Sequence, residues 1–494
     1  MTPITTPLAP EGITRPAPVP AGVPALRPAA VVLVAAAALA PLALGGAAAV
    51  APGVAVAAVI LLCSAALVLA RPELLLLALV TSLPWESKLA YPSPTVTVVA
   101  FTRVALPVLL LLRIFVRRDR LIVPRFLAPL GVFLLLTLLS LMLSPEPGEG
   151  LVKTVRYLIF ATSLFVAIQL LGDRGTLLRA IRLLAISAAA ASIYALVGFL
   201  DGQLTRAAGP VADPNDFGDL IATVIPLAVF LFLEDRKWRV LWGLVLTALL
   251  SATLGSLSRG ALVGLGGLLV WGILTRRVSA VALLGATTLL ATILVLAFAF
   301  FGSVLGERIS GRERITSSTA AARIVFWEAA ASMSTHHPLL GVGPERFDAE
   351  RERYLRGTPV ALESRISTSS QTRELIRSVH NSYLEIAAEN GIPAALAFCA
   401  FLLAVWGSLR NFSAQAGRYD DQGKRLAAAL VGALITTVLA CFFVSGELEA
   451  SFWLVAAFAG ALTGGWLNRP PSRSRIAGAA LPMPVSGSVA PSRA

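Results

Sequence analysis

Hydrophobic residues make up 56% of the 494 positions and charged residues only 14%, more apolar surface than a water-soluble core could hide, which excludes a globular soluble protein. The net charge of +13 sits in short basic clusters between apolar runs, which suits retention on the cytoplasmic side of a membrane and argues against nucleic acid as a partner. Cys63, Cys399 and Cys441 all lie inside apolar segments, so they form neither a disulfide framework nor a metal-ligand pattern.

Residues 1–28 carry eight prolines and two basic residues, and read as a disordered cytoplasmic tail. Residues 29–301 hold the N-terminal transmembrane helices. Candidate spans fall near 29–46, 50–70, 73–84, 96–116, 126–143, 151–171, 178–200, 217–233, 238–256, 259–275 and 279–301, of which 73–84 is short enough to be re-entrant. A loop domain follows over 302–380. Three more spans, near 382–409, 425–444 and 449–467, make up the C-terminal membrane part, 381–468, and 469–494 is a second Pro/Ser/Arg-rich tail. The expected fold is all-α: a polytopic transmembrane helix bundle of about 12 to 14 spans with a partly helical external loop domain.

Orientation follows from where the cations gather. Arg117, Arg118, Arg120 and Arg125 share one loop. Arg174 with Arg179, Arg236 with Lys237 and Arg239, Arg276 with Arg277, and Arg410 with Arg418, Lys424 and Arg425 occupy successive alternate ones. The linkers between them, Ser144 to Gly150 and Ser445 to Leu448, carry no basic residue. Both termini are therefore expected in the cytoplasm and the loop from Gly302 to Val379 outside. That loop, with eleven arginines against nine acids, shows helical patterning at 320–334 and 345–355 around the turn Gly341-Val342-Gly343-Pro344. It reads as a folded cap.

Five cations break the cytoplasmic rule: Arg103, Lys153, Arg156, Arg206 and Arg259 map to the outer lip or outer third of the bundle. An arginine within a membrane costs a few kcal/mol unless it meets an anion or a water-filled cavity. One shared external anion explains all five, and a lipid-linked diphosphate rests at this depth and accepts the guanidinium fork. At about 4 Å and an effective dielectric near 20, such a pair is worth roughly 4 kcal/mol before desolvation. The alternatives for Arg103, Lys153 and Arg156 are snorkelling to lipid headgroups or pairing with acids such as Glu86 and Glu149. Arg206 stands before Gly209 and Asp213-Pro214-Asn215; Arg259 stands in Ser256-Leu257-Ser258-Arg259-Gly260.

His380 opens the run HNSYLEIAAENGIP at the seam between the loop and an apolar helix. On a continuous helix it would crown a stripe of Tyr383, Leu384, Ala387 and Gly391. An imidazole there suits a general base for a hydroxyl nucleophile or a charged donor to phosphate, the alternative being a helix cap with Asn381 and Ser382. Glu385 and Glu389, deeper on the same helix, could orient the imidazole, serve as the base or join an internal salt bridge. His336 and His337 lack a metal-site spacing. Asp213, Asp216 and Asp219 could hold a divalent ion in principle, although capping of the following span is the simpler role for Asp213 or Asn215. No phosphate-binding glycine loop occurs.

In order along the chain, Arg206 with Gly209 and Asp213-Pro214-Asn215, Ser258-Arg259-Gly260, Arg323 with Trp327, His337 to Gly343 with Phe347, and His380-Asn381 with Gly391 resemble the O-antigen ligase and O-antigen polymerase superfamily of bacterial membrane glycosyltransferases. Ala394 departs from the ligase pattern.

The resemblance implies an inner-membrane enzyme that transfers a saccharide from undecaprenyl diphosphate at the periplasmic face, with inversion and without metal, nucleotide or other cofactor. It also implies the site: Arg206 and Arg259 on the diphosphate and His380 as base, all three catalytic. Arg103, Lys153, Arg156, Asp213, Asn215 and Asn381 are the expected substrate-binding residues. The acceptor stays open between a lipid-linked repeat and lipid A–core, and a chain-length regulator or flippase is a possible partner. A secondary transporter of an anionic or lipid-linked solute is the competing reading.

Overall fold

A computed structural model describes residues 72–85, 121–201, 206–211, 213–276, 323–355, 379–416, 420–445 and 450–466. All of them belong to the compact unit Arg71–Ala494. The expected spans near 29–46, 50–70, 96–116 and 279–301, both tails and Arg103 lie outside the described residues.

The chain enters with α1 (Pro72–Ser82), followed by α2 (Leu127–Leu143), α3 (Pro147–Leu171) and α4 (Arg174–Leu200). Next come α5 (Pro214–Glu234), α6 (Arg239–Ser256) and α7 (Arg259–Leu274). The segment between α7 and the C-terminal helices supplies α8 (323–336) and α9 (Phe347–Leu355). The C-terminal part holds α10 (Ser382–Asn390), α11 (Ile392–Ala416), α12 (Asp421–Ala440) and α13 (Ala450–Gly465). No strand occurs among the described residues. Among the described residues six helical stretches, Pro147–Leu171, Arg174–Leu200, Pro214–Glu234, Arg236–Ser256, Ile392–Ala416 and Asp421–Ala440, are long and apolar enough to cross a membrane.

These helices are apolar around most of their circumference, and the faces that do not pack stay bare. Val132, Leu135, Leu139 and Met142 of α2 and Val240 and Leu244 of α6 are exposed, which is costly in water and neutral in lipid. Inside the bundle, association depends on close packing, since hydrocarbon gives apolar helices no solvophobic push. On α4 the buried small residues Ala180, Ala188, Ala191 and Ala195 provide it. Between α7 and α12, a Cβ at Gly264 would lie 2.7 Å from the Thr436 carbonyl oxygen, so only glycine permits that approach. The helices α5 and α12 form the centre, joined by the Thr223 and Thr437 hydroxyls at 2.9 Å. Phe133 packs edge-on to Tyr157 with centroids 5.2 Å apart, and Phe398 stacks on Phe452 at 5.4 Å, filling the seam of α2, α3, α11 and α13.

One expected span is divided. The apolar run 382–409 breaks at Gly391, whose φ of 88° and ψ of 162° end α10 before α11 begins. A Cβ there would meet the Leu339 carbonyl oxygen at 2.2 Å, so the break is fixed by the outer turn (337–343) pressing on it. With nine residues at about 1.5 Å each, α10 is too short to cross hydrocarbon; α11 alone has that length.

Candidate functional site

Three helix N-termini meet at one end of the bundle. Asp213 caps α5, its Oδ1 accepting the Asn215 amide at 2.6 Å, with Pro214 in the first turn where its missing N–H leaves nothing unpaired. Leu257 takes a left-handed turn (φ 53°) that ends α6. Ser258 then caps α7, accepting from the Ala261 amide at 3.3 Å and donating its hydroxyl to Asp219 Oδ1 at 3.1 Å. The first turns of α5 and α7 are so close that a Cβ at Gly218 would fall 2.8 Å from Ser258 Cβ.

The third terminus is that of α10. Asn381 caps it, its Oδ1 accepting from the Tyr383 and Leu384 amides at 3.1 Å each. The Ser382 amide bonds the carbonyls of Cys441 at 2.9 Å and Val444 at 3.2 Å, and its hydroxyl bonds Val444 again at 3.0 Å. That 441–445 turn also touches the α7 start, because Phe443 Cβ lies 3.2 Å from where a Gly260 Cβ would be. The arginine-bearing termini and the histidine-bearing one therefore flank the same turn.

Arg206 donates Nε to the Ser256 carbonyl and Nη2 to Asn215 Oδ1, both at 2.7 Å, which fixes its guanidinium between the end of α6 and the start of α5. Arg259 is exposed at the first position of α7. Arg323, at the described start of α8, is half-buried. Burial and the like charge of Arg259 push its guanidinium below its ordinary pKa, against the pull of Asp213 and Asp219. Its buried Nε has no hydrogen-bond partner among the described residues, nor has Asp219 Oδ2. Helix N-termini concentrate partial positive charge, and like-charged guanidinium groups held together with an unmatched donor describe a site able to take an oxyanion.

His380 is partly buried just before the N-terminus of α10. It is not part of the helix: its φ of 51° is left-handed, so the expected stripe from His380 through Tyr383 to Gly391 does not form. Tyr383 turns inward and donates its hydroxyl to the Val438 carbonyl at 2.8 Å. Behind His380, the Val379 carbonyl accepts the Trp327 indole N–H at 3.2 Å, which ties α8 to the same place.

Lys153 stands apart from the guanidinium groups. It is 3% exposed, with Nζ 2.5 Å from Glu385 Oε1 and 2.7 Å from Glu389 Oε2. The expectation of an anion ligand meets two of the protein's own carboxylates instead. Burial pushes Glu385 up, yet the Lys153 ammonium, with Ser445 and His380 adding to it, holds its carboxyl below the usual range. Glu389 is pushed up, chiefly by burial and with the Glu385 charge adding, against the opposing pull of Lys153. Arg156 lies on an exposed face of α3. Glu149 pairs with Arg346 at 3.2 Å, alongside Glu146 at 3.3 Å and Glu350 at 3.0 Å, fastening the outer turn to the α2–α3 connection. His336 and His337 are exposed, the latter bonding the Tyr354 hydroxyl at 2.9 Å.

The sequence left Arg323 out of the site residues, and it placed Lys153 apart from Glu385 and Glu389, the one as a substrate ligand and the other two beside His380. Arg323 is lost among balanced loop charges, and its one signal is its place in the ordered motif series. The Lys153 cluster has no local signal, since its partners are 232 and 236 residues away.

Residues 243–399 match the family model described as O-Antigen ligase. The match takes in Arg259, Arg323, His380 and Gly391 and begins after Arg206. It supports the O-antigen ligase/polymerase superfamily, and with the membrane-length helices it supports a multi-pass membrane enzyme of the ligase type. No curated protein matches the chain.

Proposed function

On the premise that residues 243–399 carry an O-antigen ligase domain, we propose that the chain transfers an undecaprenyl-diphosphate-linked glycan onto a saccharide acceptor at the periplasmic face of the inner membrane. The observation that carries this reading is the meeting of three helix N-termini with Arg206, Arg259 and Arg323 beside the turn that also holds the His380 end of α10. In this orientation both termini are cytoplasmic.

The chemistry asks little else of the protein. The acceptor hydroxyl loses its proton to His380 as its oxygen forms the new bond to the anomeric carbon. The bond from that carbon to the diphosphate oxygen breaks on the opposite side, inverting the centre, and its electron pair leaves with undecaprenyl diphosphate. Charge grows on the leaving diphosphate, where forked guanidinium donors and helix N-termini act more strongly than they do on the ester. Asp213, Asn215 and Asn381 serve by shaping the ends of α5 and α10 around the donor. The fixed outer turn and α9 limit access of water, whose attack would hydrolyse the donor.

Whether the acceptor is lipid A–core or another lipid-linked repeat decides between ligase and polymerase. Purified protein in nanodiscs, given donor lipid from a strain that lacks it and each acceptor in turn, should release undecaprenyl diphosphate with one of them and continue to do so in EDTA. Solute movement across liposomes with no glycan turnover would replace this reading with transport.

A further inference from the structure

The buried cluster of Lys153, Glu385 and Glu389 joins a transmembrane helix to the short helix that presents His380. Lys153 comes from α3, and both carboxylates come from α10. Glu385 is engaged at both oxygens, by Lys153 at 2.5 Å and by the Ser445 hydroxyl. Glu389 accepts Lys153 at 2.7 Å, and its backbone carbonyl receives the Gly343 amide at 2.9 Å and the Ser140 hydroxyl at 3.0 Å. The helix is thus held at its start by the 441–445 turn, at its middle by Lys153 and at its end by the outer turn.

Glu385 lies one turn beyond Asn381 and is near enough to His380 for the two charges to interact. A carboxylate near an imidazole steadies the charge that the ring gains as it accepts a proton. An isolated buried glutamate would take up a proton itself; the ammonium beside it keeps it charged. Lys153, at 3% exposure and with carboxylates on two sides, offers no open face to a ligand.

We propose that Lys153 is a positioning residue for the transfer reaction: by holding Glu385, and with it the start of α10, in place beside His380, it orients the imidazole for proton transfer while touching neither donor nor acceptor. The inference rests on the glycan-transfer reading above. It differs from a scaffolding role, because a buried ion cluster that only supports packing can be exchanged for neutral side chains.

The test uses the full chain in nanodiscs. Turnover is read as release of undecaprenyl diphosphate from the lipid-linked glycan extracted from a strain lacking this protein; affinity is read with undecaprenyl diphosphate alone. Lys153→Met should lower kcat by about tenfold or more, with donor KM and undecaprenyl diphosphate affinity within about twofold of wild type. The uncharged triple variant Lys153→Met, Glu385→Gln, Glu389→Gln should keep the wild-type melting temperature and share the low kcat. A raised KM or weakened binding with kcat kept would make Lys153 a substrate ligand and overturn the proposal. Wild-type kcat in the triple variant would overturn it too, leaving the cluster a scaffold. Should Lys153→Met alone not fold, the triple variant decides. A wild-type protein that releases no undecaprenyl diphosphate with any acceptor removes the transfer reading and this inference together, whereas the other adverse results leave transfer standing.

Discussion

Ser258 donates its hydroxyl to Asp219 at 3.1 Å, across 39 residues of sequence, and so locks the start of α7 to the second turn of α5. The same oxygen caps α7 through the Ala261 amide. Ser258→Ala removes both contacts at once and leaves a buried carboxylate with neither oxygen bonded among the described residues. The expected cost is about 1 kcal/mol for the cap and a further 1–3 kcal/mol for the orphaned acceptor, seen as a lower melting temperature. Unchanged stability would mean that Asp219 finds another partner.

His380 is best replaced by asparagine. At φ 51° an alanine adds backbone strain to the loss of the ring, whereas asparagine tolerates the left-handed region. His380→Asn should fold as wild type and lose transfer by about a hundredfold or more, the usual worth of a general base. Turnover within a few-fold of wild type would remove His380 from that role.

Arg323 separates charge from geometry. Arg323→Lys keeps the positive charge near Arg259 and gives up the planar fork, so turnover should fall by about tenfold or more while the fold persists. In a double-mutant cycle with Arg259→Lys, losses that are not additive would place both groups on one anion. Additive losses would put them on separate ligands.

Glu385→Gln gives a signed pH prediction. Lys153, from α3, holds Glu385 below the usual carboxylate range, so its stabilising contribution is present above about pH 4.3 and fades as pH falls further. The variant should lack that acid-linked fall in melting temperature. A variant whose melting temperature falls in acid as far as that of the wild type would show that Lys153 does not hold Glu385 charged.

Gly391→Ala tests the break between α10 and α11. Its Cβ would collide with Leu339 at 2.2 Å from a backbone at φ 88°, so a loss of about 2–4 kcal/mol is expected. A smaller change would mean that the outer turn is free to move aside.

The helices were legible where length and hydropathy act alone. The span expected near 217–233 is observed as the membrane-length helix Pro214–Glu234, and the run near 259–275 as the shorter apolar helix Arg259–Leu274, since a segment that must satisfy its own backbone in hydrocarbon has no other solution. The interruption at Gly391 was hidden because the apolar run continues through it, and only the remote Leu339 turn reveals why it must bend. The His380 stripe failed for a local reason, since periodicity assumes helical dihedrals that this residue does not adopt. Lys153 shows the limit most clearly: hydropathy marks it as a costly charge near the outer surface, but its partner is set by tertiary packing.

The gathering of three helix starts at one end has a consequence for turnover under the proposed reaction. A freed diphosphate carries more negative charge than the glycosyl ester from which it came, and the fixed amides and guanidinium groups cannot relax away from it. The spent carrier lipid should therefore bind more tightly than the donor, making its escape into the bilayer the slow event of each cycle and the enzyme prone to inhibition by its own product.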